Sequence, residues 1–139
     1  MSSSECWVRV AAALIPGSDD TVLAVWNDEH AGWVLPGGKT EPGELLYATM
    51  VRELKEETSL DVLVSAPLCG LEGALGRVFV SVYLVMPLGT PRTVEAQHPV
   101  KYVRVEELTT ANPNRQFGEF HRRLFAELRK WELRREGNV

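Results

Sequence analysis

The sequence predicts a single α/β domain, and three observations lead to this prediction. Strand-like apolar segments come before and after a central amphipathic helix, and a second helical pattern ends the chain. The length of 139 residues fits one domain. The composition, 45% hydrophobic and 24% charged, is that of an ordinary soluble globular protein with a real core. We therefore expect one domain over residues 1–139.

The N-terminal part of the chain predicts a β-hairpin followed by a short strand. Residues 6–15 form an apolar run, residues 17–20 suit a turn, and residues 21–26 form a second apolar run. We expect the two runs to pair with each other. A loop then leads to a strand at residues 33–35 and to a Pro-Gly-Gly turn at residues 36–38.

The central helix carries an apolar stripe and a separate acidic arc. Residues 42–44, Pro-Gly-Glu, suit a helix start, because proline is tolerated there and acidic groups favour the positive end of the helix dipole. Apolar residues at helical spacing predict a face that packs on a core: Tyr47, Met50, Val51 and Leu54. Glu53, Glu56 and Glu57 fall together on a different arc.

Three carboxylates at this spacing repel one another, and a divalent cation would remove the conflict. Mg²⁺ prefers oxygen ligands and commonly bridges carboxylates to substrate phosphates. Arg52, beside the arc, can hold a carboxylate through two hydrogen bonds, and Glu44 is a candidate partner. Such an acidic helix face is by itself usually only solvated. The glycine turn at residues 36–38, which allows close backbone approach to a ligand, shifts the interpretation towards a metal site.

Residues 38–60 resemble the Nudix box, GX5EX7REUXEEXGU, in which U is an apolar residue. The matching positions are Gly38, Glu44, Arg52, Glu53, Leu54, Glu56, Glu57 and Leu60. Ser59 stands where the box has its last glycine. A glycine just past a helix commonly adopts the left-handed conformation, so serine there is expected to cost about 1 kcal/mol or to change how the helix ends, without removing a metal ligand.

The resemblance implies a fold, a reaction and a set of site residues. Nudix enzymes have an α/β/α sandwich with a mixed β-sheet, and they hydrolyse nucleoside diphosphates linked to another moiety with Mg²⁺ or Mn²⁺. The implied metal ligands are Glu53, Glu56, Glu57 and the carbonyl oxygen of Gly38. The resemblance also implies that Arg52 orients the carboxylates together with Glu44. The general base would be Glu53 or an acid from a later loop.

The second half of the chain predicts three further strands. Residues 60–65 and 77–86 have strand-like patterns, and residues 67–76 between them suit a loop with three glycines. A short strand is expected at residues 100–105. In the loop before it, Glu95 is a candidate metal ligand or base, because some Nudix relatives use a glutamate from this region. An ordinary exposed loop acid explains Glu95 equally well.

The chain ends in a predicted helix that starts near Asn112 and Pro113. Its apolar face is expected to contain Phe117, Phe120, Leu124, Leu128 and Trp131. Small Nudix enzymes that act on purine triphosphates can read the base with an asparagine near the start of this helix, which makes Asn112 and Asn114 candidate substrate-binding residues. Helix capping explains Asn112 equally well.

Charge and composition exclude several classes of protein. The formal net charge of −4 argues against nonspecific nucleic-acid binding, which needs a basic surface. No apolar run is long enough for a membrane span, and no targeting segment is recognisable, so we expect a cytoplasmic protein. Cys6 and Cys69 form no disulfide framework and are expected to be reduced and buried.

We expect Mg²⁺-dependent or Mn²⁺-dependent hydrolysis of a nucleotide pyrophosphate bond. The short chain favours a nucleoside triphosphate, deoxy or oxidised forms included, cleaved to monophosphate and pyrophosphate. ADP-ribose and dinucleoside polyphosphates are alternatives, and so is a Nudix-like domain that binds nucleotide without turnover. A structural domain with an acidic helix is a further alternative. The expected partner is a small-molecule nucleotide, and the protein is expected to be a monomer or a homodimer.

Overall fold

Seven strands and three helices make up the part of the chain that the computed structural model describes, residues 7–74 and 76–137, with side chains described to residue 130. Cys6 and the side chain of Trp131 lie outside the described residues. The elements are β1 (Val8–Leu14), β2 (Thr21–Asn27), β3 (Gly32–Val34), β4 (Gly37–Lys39), α1 (Leu46–Thr58), β5 (Asp61–Glu72), β6 (Val78–Leu88), β7 (Val100–Arg104), α2 (Val105–Leu108) and α3 (Arg115–Gly137). None of the helices described is long and apolar enough to cross a bilayer.

The strands form one mixed sheet and one antiparallel sheet. The mixed sheet has the order β4-β1-β6-β5, in which β1 runs parallel to β6 and antiparallel to β4. The second sheet has the order β3-β2-β7. With helices packed on the mixed sheet, this architecture confirms the predicted α/β/α fold.

Strand β1 forms the centre of the core because both of its faces are buried. One buried cluster joins β1 to α1 and includes Ala11, Ala13, Met50 and Leu54. The other cluster joins β1 to α3 and includes Ala12, Leu14, Phe120 and Leu124. Successive side chains of a strand point to opposite faces, so the alanine-rich run serves both helices and its small side chains let them approach closely.

The predicted pairing between the first two strands is wrong. Strands β1 and β2 belong to different sheets, and they meet only around the turn, where Leu23 donates to the Ile15 carbonyl at 3.0 Å and Gly17 donates to the Thr21 carbonyl at 2.8 Å. Beyond the turn both edges of β1 are occupied, by β4 and by β6. The parallel partner comes from the second half of the chain, and periodicity along a sequence does not reveal such a pairing.

Two segments that suited turns and loops are strands in the structure. The glycine turn includes β4, in which Gly37 pairs with Ala12 and Gly38 pairs with Ala11. The predicted loop at residues 67–76 is mostly the second half of β5. Strand β5 lies at the edge of its sheet, and register irregularities near residues 62–64 and 67–69 accommodate Pro67.

The helix starts also differ from the predictions. Helix α1 begins at Leu46, because Gly43 has a φ of +78° and residues 42–44 form a turn before the helix. Helix α3 begins at Arg115, and the side chain of Asn114, not of Asn112, caps it by accepting the Phe117 N–H at 3.0 Å. Tyr47, expected on the buried stripe of α1, is 47% exposed.

Ser59 has the left-handed conformation that the motif requires at this position. Its φ is +68°, and its N–H donates to the Lys55 carbonyl at 3.0 Å at the end of α1. We expect Ser59→Gly to raise the free energy of unfolding by up to about 1 kcal/mol. Glycine removes the backbone strain at this position from the folded state, and this gain exceeds the stabilisation that its greater conformational entropy gives the unfolded chain. Urea denaturation measures this change. Ser81→Gly within β6 is the control and should lower stability by about 0.5–1 kcal/mol. Equal losses in both variants would contradict the prediction.

Candidate active site

Arg52 connects the acidic face of α1 to the preceding loop and to β4. Its Nε and Nη2 donate to the two carboxylate oxygens of Glu44 at 2.8 and 3.0 Å. Its Nη1 donates to Glu53 Oε1 at 2.9 Å and lies 3.4 Å from Glu56 Oε1, and its Nη2 also donates to the Lys39 carbonyl at 3.2 Å. A single guanidinium therefore fixes three carboxylates and one backbone carbonyl.

Glu44 is held as a carboxylate by the groups around it. The Arg52 guanidinium lowers the pKa of Glu44 to about 2, and hydrogen bonds from the Thr49 hydroxyl and the Glu41 N–H act in the same direction. The structure thus brings Arg52 and Glu44 together as a bidentate pair, the arrangement expected from the sequence.

Glu53 packs against the backbone of β4 at Gly38. A Cβ atom at Gly38 would meet the Glu53 carboxyl group, so any other residue at position 38 would force the end of the Glu53 side chain to move. Burial raises the pKa of Glu53, and the adjacent Arg52 guanidinium opposes that rise. The first glycine of the box therefore leaves space for one of its own glutamates.

Glu57 is the most buried carboxyl group of the acidic arc. Its Oε1 accepts the Gly37 N–H at 2.8 Å, which attaches α1 to β4. Burial raises the pKa of Glu57 to about 8, and the nearby carboxylates of Glu53, Glu56 and Glu95 add to the rise. A cation bound here would offset both the burial and the repulsion.

Glu56 and Glu95 complete the acidic group on its solvent side. The Glu56 side chain is 57% exposed and the Glu95 side chain is 62% exposed. Glu95 lies in the loop before β7, where its Oε2 is 3.9 Å from His98 Nε2. The negative charge of Glu95 contributes to the raised pKa of Glu57. The fold therefore brings the loop acid to the same region as the helix acids.

The donor chemistry of this group fits a hard divalent cation. All of the candidate ligands are carboxylate or carbonyl oxygens, and Gly38 leaves space for close approach. Within residues 7–74 and 76–130, no three acidic, histidine or cysteine side chains are close enough together to hold an ion as they stand. Glu53 contacts Arg52 through one carboxylate oxygen, Oε1, so an ion could bind Oε2 while the Arg52 contact is kept.

Asn112 lies between β3 and α3, and backbone groups occupy its amide. Its Nδ2 donates to the carbonyls of Trp33 and Leu108, both at 2.9 Å. Its Oδ1 accepts the N–H groups of Trp33 and Asn114 at 3.2 and 3.1 Å. An amide offers two donor hydrogens and two acceptor lone pairs, and all four are used. These backbone contacts use the whole amide of Asn112, and base recognition by Asn112 stays an untested prediction.

Asn114 fixes a loop to the start of α3. Its Nδ2 donates to the His30 carbonyl at 2.7 Å while its Oδ1 caps the helix at Phe117. One donor hydrogen and one lone pair of the amide are not used by these contacts. Base recognition by Asn114 therefore stays a prediction.

A cavity of about 540 Å³ lies between the mixed sheet and α3. Gly37 and Lys39 of β4 line it, so the cavity adjoins the acidic group through the segment that contacts Glu57. Most of the remaining wall is apolar, with the β1 residues Val8, Val10 and Ala12 on the sheet side. A partly apolar cavity with a few polar groups is typical of a small-molecule site.

The comparison with known families agrees with this geometry. A family model described as the NUDIX domain matches residues 7–128, which is most of the chain. The chain belongs to the Nudix family. A region of 46 residues is 39% identical to the uncharacterized Nudix hydrolase YvcI of Bacillus subtilis (strain 168), and it covers 33% of this chain and 29% of YvcI. The chain therefore matches less than a third of the length of this curated relative.

Solved Nudix structures match over much longer stretches. The MutT NUDIX hydrolase from Burkholderia pseudomallei is 26% identical with a TM-score of 0.66, and the match covers 83% of this chain and 98% of that one. A putative Nudix family member from Chromobacterium violaceum is 26% identical with a TM-score of 0.69, and the match covers 93% and 81% of the two chains. The chain is thus MutT-like in both sequence and fold.

His121 lines the cavity, and the sequence analysis did not predict it as a site residue because it lies outside the Nudix box. This imidazole is 1% exposed and lies on the buried side of α3. Its signal in the sequence is positional, because residues 117, 120, 121 and 124 have the spacing of one helix face. A histidine among apolar residues on such a face stands out in the sequence as a buried polar side chain.

Proposed function

We propose that this Nudix chain hydrolyses a pyrophosphate bond of a nucleoside triphosphate, a deoxy or oxidised form included, and releases a monophosphate and pyrophosphate. The observation that carries the proposal is the contact network that joins Arg52 and its carboxylate partners to β4, directly beside the cavity. The network offers oxygen ligands for a cation, and the cavity offers space for the nucleoside part.

The proposed cofactor is Mg²⁺ or Mn²⁺. The residues that would hold it are Glu53, Glu56, Glu57 and the carbonyl oxygen of Gly38, with Glu95 as a further ligand. When bound, the ion neutralises charge on the phosphate oxygens and acidifies the attacking water.

The residues of the chain have separate proposed tasks. Glu53 accepts the proton of the attacking water while the oxygen of that water bonds to phosphorus, and the bridging P–O bond breaks to release pyrophosphate. Arg52, itself held by Glu44, keeps Glu53 in place. The Gly37 N–H fixes the rotamer of Glu57. Lys39, on the cavity wall, supplies positive charge for the phosphates.

Product analysis across a substrate panel tests the proposal. The panel contains standard and 8-oxo nucleoside triphosphates, ADP-ribose, nucleotide sugars and diadenosine polyphosphates, each with Mg²⁺ and with Mn²⁺ in ¹⁸O-labelled water. We expect turnover of a triphosphate, and the product that carries the label identifies the phosphorus attacked. Turnover of ADP-ribose alone would overturn the substrate class. No turnover of any compound would overturn the hydrolase assignment.

Metal binding is expected to stabilise the folded protein. A ligand at a hundred times its dissociation constant adds about 2.7 kcal/mol to the free energy of unfolding, so Mn²⁺ should raise the melting temperature of the protein. The rise should be much smaller in Glu57→Gln, which lacks one proposed ligand. Glu119→Gln, an exposed change on α3, is the control and should keep the full rise. Equal rises in all three proteins would contradict the assignment of Glu57.

A further inference from the structure

A threonine in the first turn of α1 connects this helix to the acid that precedes it. Leu45, the N-cap residue, has an extended backbone, and its side chain makes no capping hydrogen bond. Thr49 lies one turn further on and is fully buried, and its Oγ1 donates to Glu44 Oε1 at 2.7 Å. The Thr49 hydroxyl therefore fixes the Glu44 carboxylate directly to the helix.

The Thr49 hydroxyl has one hydrogen and two acceptors within reach. Glu44 Oε1 is at 2.7 Å, and the Leu45 carbonyl, four residues before Thr49, is at 3.2 Å. Threonines in helices often bond the carbonyl four residues earlier. Here the carboxylate is both closer and charged, and hydrogen bonds to a charged acceptor are the stronger ones. The hydrogen therefore goes to Glu44, while the Leu45 carbonyl keeps the Thr49 N–H at 2.9 Å.

The orientation of Glu44 determines where Arg52 can lie. Glu44 Oε1 also accepts the Glu41 N–H at 3.1 Å and Arg52 Nη2 at 3.0 Å, and Glu44 Oε2 accepts Arg52 Nε at 2.8 Å. The Arg52 side chain is long and 26% exposed, whereas Thr49 is short, β-branched and buried. The more rigid of these two side-chain donors is therefore Thr49. Arg52 Nη1 then reaches Glu53 Oε1 at 2.9 Å, so the position of Glu53 depends on the same contacts.

We propose that Thr49 is a positioning residue for the hydrolysis reaction. Its hydroxyl fixes the Glu44 carboxylate, Glu44 holds the Arg52 guanidinium, and Arg52 holds Glu53, the proposed base. The inference rests on the proposed function and adds to it a residue that the Nudix motif does not specify, because position 49 lies among the seven unspecified residues between Glu44 and Arg52. Groups that orient the residues of a site in this way commonly change metal affinity or activity when they are removed.

Three variants separate this role from simple packing. Thr49→Val keeps the shape and removes the hydroxyl, whereas Thr49→Ser keeps the hydroxyl. Thr58→Val is the matched control, because Thr58 is also fully buried on α1 but its hydroxyl donates to the Leu54 carbonyl at 2.6 Å. On the best substrate of the panel, we expect Thr49→Val to lower kcat by about tenfold or more with KM within about threefold, and Thr49→Ser to recover most of the loss. Thr58→Val should lower the melting temperature and keep kcat.

Nuclear magnetic resonance provides a reading that needs neither metal nor turnover. In ¹⁵N-labelled, metal-free protein, the Arg52 Nε–H signal is assigned by its loss in Arg52→Lys, and its exchange with water reports how firmly Glu44 holds it. We expect this exchange to be at least about fivefold faster in Thr49→Val than in the wild type. Thr49→Ser and Thr58→Val should keep the wild-type rate, since a general loss of stability alone is not expected to open this contact.

The outcomes distinguish the inference from the proposed function. A folded Thr49→Val variant with wild-type exchange at Arg52 Nε would overturn the inference, and so would faster exchange with an unchanged kcat. If Thr49→Val does not fold, Thr49→Ala takes its place under the same criteria. If the wild type hydrolyses nothing, the proposed function fails, and the exchange rate then decides by itself whether Thr49 positions Arg52.

Discussion

Glu53→Gln is expected to reduce kcat at least about a hundredfold while the protein stays folded. Glutamine has nearly the same shape, so it fits the space beside Gly38, and its amide oxygen can still accept the Arg52 Nη1 hydrogen bond. The substitution removes the charge that would bind a cation and the oxygen that would accept a proton from water. The measurement is kcat on the best substrate of the panel, with the melting temperature recorded in parallel.

Glu41→Gln is the matched control for this prediction. Glu41 also faces Arg52, at 3.8 Å, but its side chain is 66% exposed and it lies outside the proposed ligand set. We expect the activity of Glu41→Gln to stay within about twofold of the wild type, because exposed ion pairs contribute little to holding their side chains in place. If Glu53→Gln retained near-normal activity, the base would lie elsewhere. Glu95→Gln would then be the next variant to test, since its loop reaches the same acidic region.

The contacts of the acidic helix could be predicted from the sequence because they are mostly local. Glu53 and Glu56 follow Arg52 within one helical turn, so the geometry of any helix places them near it. Glu44 lies eight residues before Arg52, and the pair was expected from the box. The left-handed backbone at Ser59 was also predictable, because the end of a helix requires it whichever residue is present.

The features that the sequence did not predict depend on long-range pairing. Strand β1 pairs in parallel with β6, which lies about 70 residues later in the chain. No local pattern in the sequence distinguishes β6 from β2, the next strand along the chain, as the partner of β1. The amide of Asn112 hydrogen-bonds to the backbone of Trp33 in β3, which lies 79 residues earlier in the chain. The same packing encloses the cavity and buries His121. Periodicity shows that such residues face a core, but it does not show what lies opposite them.

Arg52→Lys is expected to weaken Mn²⁺ binding and to lower kcat/KM by about 10–100-fold, although charge is conserved. The guanidinium fork contacts Glu44 through two nitrogens and reaches Glu53 and the Lys39 carbonyl at the same time. A lysine ammonium is a point charge and cannot reproduce this planar set of contacts. Glu53 would then keep its charge but lose its fixed position. Titration with Mn²⁺ and steady-state kinetics measure the two effects.

A double-mutant cycle shows whether Arg52 acts through Glu44. If their bidentate pair is what positions the acidic group, Glu44→Gln should cause a similar loss, and the double variant should lose little more than either single variant. Arg122→Lys on α3 is the control, because its pair with Glu119 is exposed on both sides and should affect neither measurement. If the fold-losses of the two single variants multiply in the double variant, the two residues act independently. Glu44 would then serve to fix the loop before α1, through the Thr49 and Glu41 contacts that it also makes.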